Sequence, residues 1–537
     1  MLTETAQEKS TLLNKWFIFF FYSILFSISL FSLITAFTFP GNKSLLVFYC
    51  LLTILSFAAI RLGRFSYFYL FMNVLFLLGF WLKVCTFFNF HLNFLEPTGL
   101  FDYSIAAWNK VLWILNFAAL GLLLARVTTY YCYKKTSATF AAPLIPPFYE
   151  KFSLYIWLGF LLLALMVILI NLKFNFYRSG FIPTLHLPFK LTAIIAWLMN
   201  IGFAFIFCLF MWWDLHLKKR HLLRNYVFVV LSAIGFSAGC MSRGLYIYQA
   251  GHYFFSFPRT RLLGIKVISM TLSLFLIVFM IGSFVNFKLV MYQRDRYYPH
   301  KLLPEMIKES LEKEAFIKAK ANLQPRSKAV KNITFDKGCE QFINNPDMNR
   351  HDVTITNKDC LTFLAHAPRS NNFLFNHAYL TLALQRWIGL EGLMAVSAWP
   401  YLNTATFTAG WTNRLAPETA NPYPDISNAV YFQKSYPMKD KFFFSSLPGI
   451  TGMLYYSGQV MIVLSGIFLF MFIGISGEYF LHKLLQNPFC ESFYGIYLAF
   501  LLTMLGDAHL LAAQFLEIII TIVLIKLFLF IIQKDLT

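Results

Sequence analysis

Charge is scarce in this chain. Asp, Glu, Lys and Arg make up 13% of its 537 residues, where a soluble domain carries roughly 25%. Hydrophobic residues reach 58%, with 63 Phe, and that much apolar side chain cannot be hidden in one aqueous core. A soluble globule is therefore excluded. Also missing are a Gly-rich phosphate loop ending in Lys-Ser/Thr, a His-Glu-x-x-His pair and a Cys-x-x-Cys pair, so the soluble chemistries built on them have no foothold here. Short alternating stretches, the mark of a membrane β-barrel, give way to continuous apolar runs.

Those runs fall at 15–39, 44–60, 66–90, 108–125, 152–172, 191–213, 222–239, 267–287, 459–477, 493–505 and 511–532. Most approach the roughly 20 residues that cross a hydrocarbon core of about 30 Å. The 493–505 run is short, so it must extend at one end or be covered by neighbours. The first run is too long for a signal-peptide core and no small-residue cleavage site follows it, so it is expected to stay in the protein. The chain reads as an all-α polytopic integral membrane helix bundle of about twelve transmembrane helices. An N-terminal bundle (1–287), a large and mainly helical extramembrane loop (288–446) and C-terminal membrane helices (447–537) follow in order.

Lys and Arg cluster at Arg61 and Arg64, at Arg126 with Lys134, Lys135 and Lys151, and at Lys218, Lys219, Arg220 and Arg224. The positive-inside rule makes these three connections cytoplasmic, and with them the N-terminus. The remaining polarity turns on residues 245–257, which follow the polar break Met241-Ser242-Arg243-Gly244. That segment is expected to return through the membrane, because only then do Arg259, Arg261 and Lys266 fall inside and the large loop outside; the C-terminus is then cytoplasmic as well. About half of the formal charge of +20 is explained by cytoplasmic loops obeying this orientation, and nucleic acid is not an expected partner.

The loop spans 159 residues with twenty Lys/Arg against fourteen Asp/Glu, a surplus that suits an anionic ligand or membrane lipid head groups. Residues 301–322 have an amphipathic helical period. Cys339 and Cys360 are either a bridge or two thiols. Within the loop, His366, Arg369, His377, Arg386 and Glu391 accompany Trp387, Trp399, Tyr401 and Trp411. Arginine forks grip phosphate and aromatic faces stack on sugars, so this mixture suits a phosphorylated glycan. Arg243 stands at the outer end of a span, where an ionisable group needs a partner, water or a function. Lys83, Asp214, Asp507, His509 and Glu517 are weaker cases of the same kind.

Three stretches carry a family resemblance: Ala238-Gly239-Cys240-Met241-Ser242-Arg243-Gly244; Gln385-Arg386-Trp387-Ile388-Gly389-Leu390-Glu391-Gly392; and Leu447-Pro448-Gly449-Ile450-Thr451-Gly452 with Ser457-Gly458. With the layout of spans and the 478–488 stretch, they make the chain resemble the O-antigen polymerase and ligase group of bacterial membrane glycosyltransferases. The resemblance implies a metal-independent enzyme of the bacterial inner membrane, without cofactor. It would transfer a glycan from undecaprenyl diphosphate to another lipid-linked repeat unit at the periplasmic face, as in lipopolysaccharide synthesis, with a chain-length regulator as a candidate partner. Under it, Arg243, Arg369 and Arg386 would bind diphosphate, His377, His366 or Glu391 would act as base, and Trp387, Trp399 and Trp411 would stack on glycan. The His-Asn motif of the ligases' outer loop is not found, which favours polymerase.

Three other readings remain, one of them a purely structural or assembly protein. A polyprenyl-phosphate-sugar-dependent glycosyltransferase would use acids such as Glu96 and Asp102. A flippase or transporter for lipid-linked oligosaccharide would usually show related halves, which this sequence lacks.

Overall fold

The computed structural model describes residues 21–90, 94, 98, 100–134, 140, 142–178, 191–217, 221–260, 265–297, 387, 389–412, 448–506 and 508–536. Regular structure among them is entirely helical. In chain order the helices are α1 (Phe21–Thr38), α2 (Lys43–Arg61), α3 (Tyr67–Phe90), α4 (Ile105–Tyr133), α5 (Pro147–Phe174), α6 (Leu191–Leu217) and α7 (Leu222–Cys240). Two short helices, α8 (Arg243–Gly251) and α9 (Tyr253–Thr260), precede the long α10 (Ile265–Tyr297). Then come α11 (Leu390–Ala398), α12 (Thr404–Thr412), α13 (Gly449–Tyr455), α14 (Val460–Leu485), α15 (Pro488–Thr503) and α16 (Ala508–Leu536).

Ten of these, α1 to α7 with α10, α14 and α16, are long and apolar enough to cross a membrane. The chain is thus a polytopic all-α membrane protein. Twelve spans are reached only by counting two shorter passages, α8 with α9, and α15. Large apolar side chains such as Phe26, Phe37, Leu162 and Phe530 stand exposed along the peripheral helices, which is tolerable only against lipid. Burial separates inner helices from outer ones: 72% of the α3 window is buried against 22% of α1.

Local sequence explains where the helices begin and end. Asn42, Ser66, Ser104 and Asn487 cap the starts of α2, α3, α4 and α15 with their side-chain oxygens. Pro488 then occupies the first turn of α15, where its missing N–H costs nothing. That cap is how the short apolar run at 493–505 lengthens: α15 starts five residues earlier, through buried Cys490, Glu491 and Ser492.

Two π turns interrupt inner spans, at Leu77–Trp81 in α3 and Leu198–Gly202 in α6. Such turns leave carbonyls short of partners. In α6 the Gln249 side chain supplies one, its Nε2 donating to Met199 O at 2.6 Å.

The passage through α8 and α9 settles the relative sidedness of the chain. The Tyr226 hydroxyl, near the start of α7, donates to Ala250 O at 3.1 Å, so α8 runs back along α7. Arg243 lies over the Phe287 ring, Tyr246 donates to Phe279 O, and Phe257 meets Phe275, so α10 runs antiparallel to both short helices. Arg259 then reaches the far end, its guanidinium 4.6 Å from the Phe65 ring centroid and 5.2 Å from that of Tyr67. Arg61, Arg64, Arg126 and Arg259 therefore share one end of the bundle, called here the Arg64 end. Arg61 contacts the Tyr22 hydroxyl at the start of α1, and Lys526 donates to Leu484 O near the end of α14, so α1 brings its N-terminal turn and α16 its C-terminal half to the Arg64 end.

Candidate functional site

At the opposite end, two short helices dip into the bundle. Every residue of α11 from Leu390 to Ser397 is buried, as is all of α13. The deep end of α11 rests on the π turn of α3, where a Cβ on Gly389 would lie 3.0 Å from the Phe80 ring and 3.1 Å from Gly79 O. Glycine allows this close approach. One residue into α11, the Glu391 carboxylate bonds through both oxygens to the Lys83 ammonium. Both side chains are almost wholly buried, at 1% and 2% exposure. Lys83 stands seven residues before the end of α3, so the pair lies about 10 Å beneath that helix end. Either charge alone would be costly there, and the pair with the first-turn dipole of α11 neutralises both. Nearer the surface, Lys110 Nζ donates to Ser397 O at 2.6 Å, tying the top of α11 to α4.

The second dipping helix begins at Gly449, with φ +68° and its N–H bonded to Leu505 O at 2.9 Å. The turn after α13 uses Gly458, with φ +72°. Beside it Trp411 donates to Met453 O and stacks on Phe470, and His509 meets Thr412 O. Half-buried Trp399 meets exposed Tyr401 edge to face, with ring centroids 5.7 Å apart. Arg243 opens α8 and is half-buried. The preceding turn at Met241 is left-handed, and its neighbour Gly239 O accepts from Asn171 Nδ2. Asn171 also bonds both ways with Tyr177, placing buried Arg178 by this turn, where it donates to Asn175 Oδ1 at 2.8 Å.

Of the residues expected to act, the structure places Arg243, Glu391, Trp399 and Trp411 at this one end, while Trp387 is half-buried at the entry to α11. His366, Arg369, His377 and Arg386 lie outside the described residues, as do Cys339, Cys360, Glu96, Asp507 and the 301–322 stretch. Trp411 is committed to packing through its ring and its N–H. Asp102 accepts from Ser104 N at 3.0 Å and so shapes the turn before α4. Sequence reasoning missed Lys110 and Arg178 and left Lys83 without a partner. An intramembrane lysine is a visible signal, whereas its partner is not.

The Arg64 end holds a second buried network whose bonds are structural. Glu478 accepts from Ser66 Oγ at 2.5 Å, Tyr67 N at 2.8 Å and Phe68 N at 3.0 Å, capping α3 from another helix. Glu491 joins Arg64 at 3.1 Å to His482 Nδ1 at 2.7 Å. Arg126 closes the α2–α3 turn by donating to the carbonyls of Ala59, Ile60, Leu62 and Arg64.

Gly235-Phe236-Ser237-Ala238-Gly239 matches the Gly-x-Ser-x-Gly pattern formally, but it lies inside α7 with Ser237 buried and donating to Ser242 O. It is therefore no nucleophile elbow, which needs a strand-to-helix turn. Among the described residues no cluster of three His, Cys, Asp or Glu side chains is placed to hold a metal. No protein-family model matches the chain, and no curated protein or solved structure shows significant similarity to it.

Proposed function

We propose that the protein is a membrane glycosyltransferase that polymerises undecaprenyl-diphosphate-linked oligosaccharide repeat units, O-antigen or a related surface polysaccharide, at the periplasmic face of a bacterial inner membrane. One observation carries the reading. The described parts of 238–244, 387–392 and 448–458, which carry the resemblance to the polymerase group, come from distant parts of the chain and gather at one end of the bundle, opposite the Arg64 end. The positive-inside rule makes the Arg64 end cytoplasmic and the gathered end external.

In this reading the acceptor hydroxyl attacks the anomeric carbon of the donor glycan while the bond to diphosphate breaks and lipid diphosphate departs. Arg243 stabilises the growing negative charge on the leaving group, with Arg369 and Arg386 as further candidates. Glu391, bound through both oxygens to Lys83, is better suited to hold α11 in place than to take the hydroxyl proton. That role falls to His366 or His377. Trp399 and Tyr401 offer the aromatic surface for a sugar ring.

The test uses full-length protein in liposomes with the undecaprenyl-diphosphate-linked repeat unit, polymer ladders being read on a gel. Arg243→Ala is expected to lower polymer formation roughly hundredfold, the scale of losing one transition-state donor. Arg243→Lys recovers little, because a lysine lacks the planar fork. Undiminished ladders from Arg243→Ala would refute the assignment.

A specific feature favours a second reading, a flippase for the same lipid-linked glycans. Broken helices ending inside a bundle beside a buried charge pair are a transporter device, and α11, α13 and Lys83–Glu391 have that form. The same liposomes discriminate: translocation without chain growth selects the flippase.

A further inference from the structure

At the Arg64 end the bundle opens into a small, half-open cleft, with Arg64, Arg126, Tyr130, Tyr133, Glu478 and Tyr479 among its lining residues. Arg64 is 10% exposed, and only one of its terminal nitrogens, Nη2, is engaged by Glu491. Its Nη1 is buried and has no hydrogen-bond partner. An unpartnered guanidinium nitrogen in such a place lacks the compensation that buried polar groups normally find.

The surroundings supply more positive charge than the carboxylates consume. Lys483 lies over the Tyr479 ring at 5.1 Å and Arg64 over the same ring at 5.5 Å. Lys134 lies over the Tyr130 ring at 5.8 Å, and both lysines are exposed at the rim. Arg126 adds a buried guanidinium beside the cleft, with Nε and Nη2 donating to carbonyls. The two nearby carboxylates are occupied, Glu478 with the α3 cap and Glu491 with Arg64 and His482. Tyr133 stacks on Tyr479 at 4.3 Å, and Tyr133 donates to Ser476 Oγ, which holds the aromatic wall rigid. Aromatic rings with lysines and arginines at a helix end are the chemistry of the lipid head-group region.

We infer that this cleft binds one phosphate-bearing anion, the head group of an anionic phospholipid, with Arg64 Nη1 on a phosphate oxygen and Lys134 and Lys483 at the rim. Nothing in the proposal depends on the reaction at the opposite end. A bound lipid would bridge α3, α4 and α14 at the point where Glu478 caps α3.

The test is native mass spectrometry and thermal melting of the full-length protein in nanodiscs of phosphatidylcholine with and without phosphatidylglycerol, and with inorganic phosphate added to the phosphatidylcholine discs. The wild type is expected to retain one phosphatidylglycerol after stripping and to melt higher with it. Lys134→Gln and Lys483→Gln should each weaken retention about fivefold, the scale of one cation at a membrane surface. These positions are exposed, so folding survives. Arg64→Lys, which keeps the charge facing Glu491 but loses the fork, should weaken it further. If inorganic phosphate gives the same stabilisation and competes with the lipid, the site holds free phosphate and the lipid assignment falls. If neither phosphatidylglycerol nor phosphate stabilises the wild type, or the three variants retain lipid as it does, the inference is wrong.

Discussion

Lys83 and Glu391 put the sharpest energetic constraint on the molecule. A buried pair contributes little relative to a well-packed apolar pair, but removing one partner strands a charge and costs roughly 3–5 kcal/mol. Lys83→Met or Glu391→Leu alone should therefore lower stability by about that much, while the double variant should return close to wild type. Denaturant or thermal unfolding of the three purified variants checks this, and costs that simply add would remove the pair from the account. Lys83 is conspicuous in the sequence as an intramembrane cation. Its partner is not, because 308 positions separate them and nothing local marks which acid will meet it. The same limit hid Arg178, an ordinary loop arginine until Asn171 folds it against the 239–242 turn.

Elements behave more legibly, because lipid demands length and internal hydrogen bonding of every span. The ten long helices follow the apolar runs closely for that reason. The two short passages are harder to read, since neighbouring helices cover them and polar residues are allowed: α15 takes in Glu491, and α8 takes in Gln249, which serves a π turn in α6. The π turns leave no mark in composition. Glycines provide a test at this scale. Gly449 combines φ +68° with Thr503 O only 2.8 Å from where a Cβ would stand, so Gly449→Ala should cost more than the roughly 1–2 kcal/mol of the left-handed conformation alone. Gly159 in α5 has nothing within 4 Å of a Cβ, and Gly159→Ala should be neutral or stabilising by up to about 1 kcal/mol. Equal melting temperatures for the two variants would contradict the role given to the Gly449 turn.

The whole molecule has two chemically different ends: a cationic, tyrosine-lined one at Arg64 and one where α11, α13 and Arg243 meet. Every functional statement made for the second end depends on its facing away from the cytoplasm. Nature supplies a reporter for the first end in Cys132, exposed near the close of α4. For the second, Tyr401 is exposed beside Trp399. The most direct measurement is labelling with a membrane-impermeant maleimide in intact and in permeabilised cells, using Tyr401→Cys in a background with Cys339 and Cys360 replaced. The account predicts that position 401 labels in intact cells and Cys132 only after permeabilisation. The reverse pattern would put the gathered motifs in the cytoplasm and contradict a periplasmic polymerase.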